Sequence, residues 1–132
     1  MNPSFPRTVL VLEADPLRRE RMRQLLAAEG VQEVLFAVKG SEAFSLLAST
    51  LVDLVVTPWV AGDVEGKALL RGLQGRGANR RVPVVVLDAG MSPHLRVQAV
   101  KQGVVALLST PVTAAALARA LLAVREQVGQ TR

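Results

Sequence analysis

The sequence predicts a doubly wound α/β fold, with five parallel strands and helices on both faces of the sheet. Three observations predict it. Short apolar runs recur five times along the chain, and each is followed by a stretch of helical periodicity. The runs are continuously apolar instead of alternating, so both faces of each strand must be covered. The chain is 132 residues long and 50% hydrophobic, enough for one domain with its own core.

The elements follow in order. Thr8–Glu13, "TVLVLE", is a short apolar run rich in β-branched residues and reads as the first strand. Leu17–Glu29 reads as a helix, with Met22, Leu25 and Leu26 on one side and Arg18, Arg19, Arg21 and Arg23 largely on the other; Gly30 stops it. Val34–Val38 is the second strand. Ser41–Ser49 is helical, with Ala43, Phe44, Leu47 and Ala48 on its apolar side. Val52–Thr57 is the third strand and Lys67–Gln74 a short helix, and the Gly and Asn of "GRGANRR" mark a loop. Val82–Leu87 is the fourth strand. Pro93–Gln102 is helical and ends at Gly103, Val104–Ser109 is the fifth strand, and Val112–Val128 is a long helix rich in Ala and Leu. Crossovers between parallel strands are expected to be right-handed.

Composition narrows the function classes. There is no Cys, which excludes a disulfide scaffold and thiol chemistry and fits a cytoplasmic location. No apolar run approaches the roughly 18 residues of a membrane span. "MNPSFPR" has no apolar core of a signal peptide. The net charge of +5, mostly from Arg, permits acidic partners or nucleic acid.

An open α/β sheet places its functional crevice at the carboxyl ends of the strands, at the switch point in strand order. The residues there are Glu13, Ala14 and Asp15; Pro58 and Trp59; Asp88 and Ala89; and Thr110 and Pro111. With these in view, the chain resembles a response-regulator receiver domain, the flavodoxin-like module of bacterial two-component signalling. "VLVLEADPLRRERMRQLLAAEG" resembles the family's first strand, acidic turn and first helix. "DLVVTPW" with the later "EG" resembles the third strand and its loop, "VPVVVLDA" the fourth strand, and "STPV" the exit of the fifth. The resemblance spans about Thr8 to Val128 and implies strand order 2-1-3-4-5 in one receiver-like domain over residues 1–132.

The resemblance also implies a chemistry that this sequence lacks. The family uses an acidic pair after the first strand to hold Mg²⁺, an ion that demands octahedral oxygen ligands. Here the pair reads Glu13–Ala14. The phosphoacceptor Asp after the third strand, a nucleophile, is replaced by Pro58, which has no side-chain oxygen and no N–H. The Thr or Ser after the fourth strand is Asp88, whose charge would repel a phosphoryl group of about −1.5 to −2. The Lys before Pro is Thr110, and the aromatic readout position falls on Leu107. The expectation is a pseudo-receiver: no enzymatic activity, no cofactor, and Mg²⁺ binding lost or weak.

Other features have a plain and a sharper reading. Glu13, Asp15 and Asp88 read as turn carboxylates, with Asp15 capping the first helix; the sharper alternative is a small cation site. Asp53 and Thr57 are poor substitute phosphoacceptors, since Asp53 lies early in its strand and Thr57 has no nearby base. Trp59 is either a partner anchor or a loop aromatic over the crevice. The Arg-rich first helix reads as a solvated face, with no nucleic-acid partner expected. His94, the lone His, belongs in the exposed first turn of the fourth helix.

On the last helix Leu117, Leu121, Val124 and Val128 form a docking stripe, while Ala114, Ala118 and Leu122 form a second, weakly polar one with Arg119 at its rim. In the family this helix, with the fourth helix and fifth strand, is a usual surface for dimers and partners. The expected function is therefore a phosphorylation-independent interaction module, binding a protein partner or a second copy through His94, Arg96, Val97, Lys101, Leu107, Ala118, Arg119 and Leu122. The alternatives are a receiver phosphorylated on an unexpected residue, a nucleic-acid-contacting regulator, or the receiver part of a longer regulator.

Overall fold

A computed structural model describes residues 5–59, 66–74 and 81–130. The expected loop "GRGANRR" lies outside the described residues except for Arg81. Five strands alternate with five helices: β1 (Thr8–Leu12), α1 (Pro16–Ala28), β2 (Glu33–Ala37), α2 (Gly40–Ser49), β3 (Leu54–Pro58), α3 (Gly66–Gln74), β4 (Val84–Asp88), α4 (Pro93–Lys101), β5 (Ala106–Ser109) and α5 (Ala114–Gln130). The sheet has the order β2-β1-β3-β4-β5, and every neighbouring pair is parallel.

Side-chain alternation along each strand builds a core on both faces. Val9 and Val11 of β1, Leu54 and Val56 of β3, and Val85 and Leu87 of β4 point to one side, where Met22 and Leu26 of α1 and Leu117, Leu121 and Val124 of α5 cover them. Leu10, Leu12, Val55, Val84 and Val86 point to the other, under α2, α3 and α4. Of the expected docking stripe of the last helix, Leu117, Leu121 and Val124 are thus buried, joined by Ala120, while Val128 is half-buried.

The helix boundaries have local causes. Asp15 caps α1 by accepting from the Arg18 N–H at 2.9 Å, and Ser92 caps α4 by accepting from the Leu95 N–H at 3.2 Å. A proline follows each cap at the first helical position, where a missing N–H costs nothing. Gly30 and Gly103 close α1 and α4 with φ of 91° and 100°, a region that strains residues with a Cβ.

Several edges differ from the sequence expectation. The third, fourth and fifth apolar runs enter the ladder two residues late, at Leu54, Val84 and Ala106. Val52, Val82 and Val104 are buried all the same: the chain enters the sheet through covered loops, so an apolar run overstates the paired length. Asp53 lies just before β3, at the amino end of the sheet, where its carboxylate accepts from the N–H groups of Arg7 and Thr8 at 2.9 and 3.1 Å. The last helix starts at Ala114 instead of Val112, because the Thr113 hydroxyl accepts from the Ala116 N–H at 3.1 Å and so caps it. Ala48, expected on the apolar side of α2, is exposed, while Ala43 and Leu47 are buried.

Candidate functional site

The carboxyl ends of β1, β3, β4 and β5 frame the crevice. Glu13 follows β1 and is held twice. One carboxylate oxygen accepts from the Asp15 N–H at 3.1 Å and the other from Arg18 Nε at 3.0 Å. Ala14, beside it, is exposed, and Asp15 is committed to capping α1. Pro58 is the last residue of β3 and pairs in register with Leu87. Its carbonyl accepts from the Thr57 hydroxyl at 2.9 Å.

Asp88 ends β4, and only 7% of its side chain is exposed. One oxygen accepts from the N–H groups of Gly90 and Met91 at 3.1 and 2.7 Å, and the other from Arg96 Nε at 2.7 Å. This ties the β4–α4 connection to α4. The Met91 N–H, then the Arg96 guanidinium, hold the Asp88 carboxyl below its ordinary value against a smaller opposing effect of burial. A depressed carboxyl stabilises the fold above its unfolded pKa, and that contribution is lost as pH falls through the folded value, here below 3.8. The expected result is a lower urea midpoint for Asp88→Asn than for the parent near neutral pH, with the two converging as pH falls through the lowered Asp88 value. A gap that persists at acid pH would show that the charge of Asp88 is not what matters.

The three acidic residues expected near one another are therefore separately engaged. Glu13 turns toward α1 and Asp88 toward α4, and among the described residues no three His, Cys, Asp or Glu side chains gather as a metal ion could use. Behind Glu13 lies a small cavity of about 70 Å³, bounded by Arg18, Met22, Leu87, Thr110, Pro111 and Val112.

Trp59 is neither an exposed anchor nor a lid on the crevice. It is 6% exposed and packs with Leu69, Leu70 and Leu73 of α3. Thr57 lies beside it, 1% exposed, so its hydroxyl is shut off from a phosphodonor. The Arg-rich helix is also less free than a solvated face. Arg18 bonds Glu13, Arg23 bonds Glu20, and Arg21 donates to the Val112 carbonyl at 3.0 Å, fastening α1 to the start of α5. Their pairing weakens the case for phosphate contacts along α1.

The residues expected at a partner surface do lie on neighbouring elements. His94, Val97 and Lys101 are exposed on α4, and Arg119 and Leu122 are exposed on α5, with Ala118 half-buried. Leu107 is half-buried and packs against the cluster under α4. Arg96, though 45% exposed, spends its guanidinium on Asp88. That pair was not legible in the sequence, since it joins residues across a loop with no shared helical face.

Among known proteins, the family model described as the response regulator receiver domain matches residues 9–122. The chain is 34% identical over 111 residues to protein-glutamate methylesterase/protein-glutamine glutaminase 5 of Myxococcus xanthus, covering 83% of this chain and 32% of that one. It is 33% identical over 107 residues to the phosphate regulon transcriptional regulatory protein PhoB of Rhizobium meliloti, covering 78% and 47%. The chain thus spans less than half the length of these curated relatives. Among solved structures, the signal receiver domain of a signal transduction histidine kinase from Syntrophus aciditrophicus superposes with a TM-score of 0.77 at 26% identity, over 95% of this chain and 94% of that one. Among the described residues no helix is long and apolar enough to cross a membrane.

Proposed function

The chain belongs to the response regulator receiver domain family of two-component signalling, and on that premise we propose that it signals by protein contact alone, without an aspartyl phosphate. The observation that carries this reading is the state of the crevice. Pro58 stands at the end of β3 with no side-chain oxygen, and arginines already hold the two crevice carboxylates, Glu13 and Asp88. A Mg²⁺ ion needs near-octahedral oxygen ligands. Glu13 is neutralised by Arg18, Ala14 offers nothing, and Asp88 faces the other way, so this donor set does not suit the ion. The Asp88–Arg96 pair fixes the β4–α4 connection from within, which supports a domain resting in one conformation until a partner selects otherwise.

Receiver domains act through other proteins, and the surface we assign to that role is formed by α4, β5 and α5. No catalytic step is assigned to this chain. Incubation with a small phosphodonor and Mg²⁺, followed by intact-mass measurement, is expected to show no added phosphoryl group. Titration with Mg²⁺ and beryllofluoride, a mimic of the phosphoryl group, is expected to leave the amide spectrum unchanged. A stoichiometric mass gain, or a saturable spectral shift at Glu13 and Asp88, would overturn the proposal.

A further inference from the structure

We infer that the α4–β5–α5 surface docks an acidic segment of a partner protein with aliphatic anchors, and not a second copy of this chain; the inference rests on the interface proposed above. From Ala89 to Arg125, which takes in α4, β5 and most of α5, the chain contains no Asp or Glu. Its cations divide into two groups. Arg96 is used on Asp88, and Arg125 donates to the Phe5 carbonyl at 2.7 Å. Lys101 and Arg119 are exposed and make no side-chain hydrogen bond or ion pair with any described residue.

Aliphatic side chains stand among these free charges. Val97, Val100 and Leu122 are 53%, 58% and 54% exposed. Two shallow grooves run through the patch. One, of about 230 Å³, lies along α4 between His94 and Lys101, and one of about 350 Å³ lies between β5 and α5 beside Arg119. A partner that fits offers carboxylates to Lys101 and Arg119 and branched or straight aliphatic side chains to the grooves. An amphipathic helix with one acidic face presents both.

The same charges disfavour a second copy. A two-fold dimer places identical patches against each other, so its central cations would face cations or apolar groups, an arrangement that suppresses association. Glu126, the nearest carboxylate on α5, lies two turns beyond Arg119. Pairing Glu126 with the partner copy's Arg119 would still leave Lys101 without an anion. Nucleic acid fits less well, because the side chains between the charges are aliphatic and the patch offers no Phe, Tyr or Trp for base stacking.

The test is a display selection of random peptides on the full chain, with the recovered peptides resynthesised and their affinity measured. The expected peptides are acidic and carry aliphatic residues. Their binding should weaken about tenfold or more in a Lys101→Glu/Arg119→Glu variant, and should be weaker at about 0.15 M salt than at about 0.01 M. Leu122→Asp should abolish it. Neutral or basic peptides, or no peptides, overturn the inference. So does concentration-dependent dimerisation that Leu122→Asp breaks, or oligonucleotide binding that the charge reversal removes. The two layers fail separately. Peptides lost with Leu122→Asp but indifferent to charge reversal overturn the acidic partner alone, whereas peptides indifferent to Leu122→Asp bind elsewhere and remove the interface itself.

Discussion

Trp59→Ala lowers the stability of this domain by about 3–5 kcal/mol, the range for deleting a buried aromatic side chain. The indole fills the space between β3 and α3, against Leu69, Leu70 and Leu73. The lining residues are held by the sheet on one side, so collapse into the void is limited. Gly66→Ala attacks the same contact from the opposite direction. A Cβ on Gly66 would lie 2.0 Å from Trp59 Cε2 and 2.2 Å from Cδ2, too close for any rotamer of the indole to stay where it is. Overpacking of this kind costs about 1–3 kcal/mol or more. Thermal unfolding followed by circular dichroism measures both, and a loss of 3 kcal/mol corresponds to roughly 10 °C in a domain of this size. A shift of only a degree or two for Trp59→Ala would mean that Trp59 does not seat α3.

The second large effect separates folding from function along one helix. Leu121 is fully buried against the sheet, and its neighbour Leu122 is 54% exposed. Leu121→Ala is expected to cost about 2–5 kcal/mol, since it opens a cavity between α5 and the sheet. Leu122→Ala is expected to stay within about 0.5 kcal/mol, as exposed substitutions usually do, while weakening partner binding. Urea unfolding of the two variants, beside the peptide affinities of the same proteins, provides the comparison. If Leu122→Ala destabilised the fold as much as Leu121→Ala, the exposed stripe would be part of the core and the interface assignment would fall.

The crevice shows where sequence reasoning runs out. Pro58, Ala14 and Thr110 could be read as non-reactive from residue type alone, because no backbone geometry gives a proline or an alanine a carboxylate. The charged residues were harder. Glu13, Asp15 and Asp88 read as turn carboxylates, with a cation site as the sharper alternative, and what they do depended on which donors the fold brought to them. Arg18 reaches back over one helical turn to Glu13, while Arg96 reaches across the β4–α4 connection to Asp88. Trp59 was ambiguous for a similar reason: whether an aromatic at a strand end turns outward or inward depends on the helix packed beside it.

The sequence by itself determined the five strand–helix units, the burial of both sheet faces and which side-chain types stand at the strand ends. These follow from local properties: periodicity, continuous apolar runs, caps, and the chemistry of single side chains. Only the tertiary structure decided which arginine neutralises which carboxylate, that Trp59 belongs to the core under α3, and which cations on α4 and α5 remain free. Those outcomes depend on distances between residues far apart in the chain, or joined by a loop, and side-chain identity sets no such distance until the strands and helices are packed.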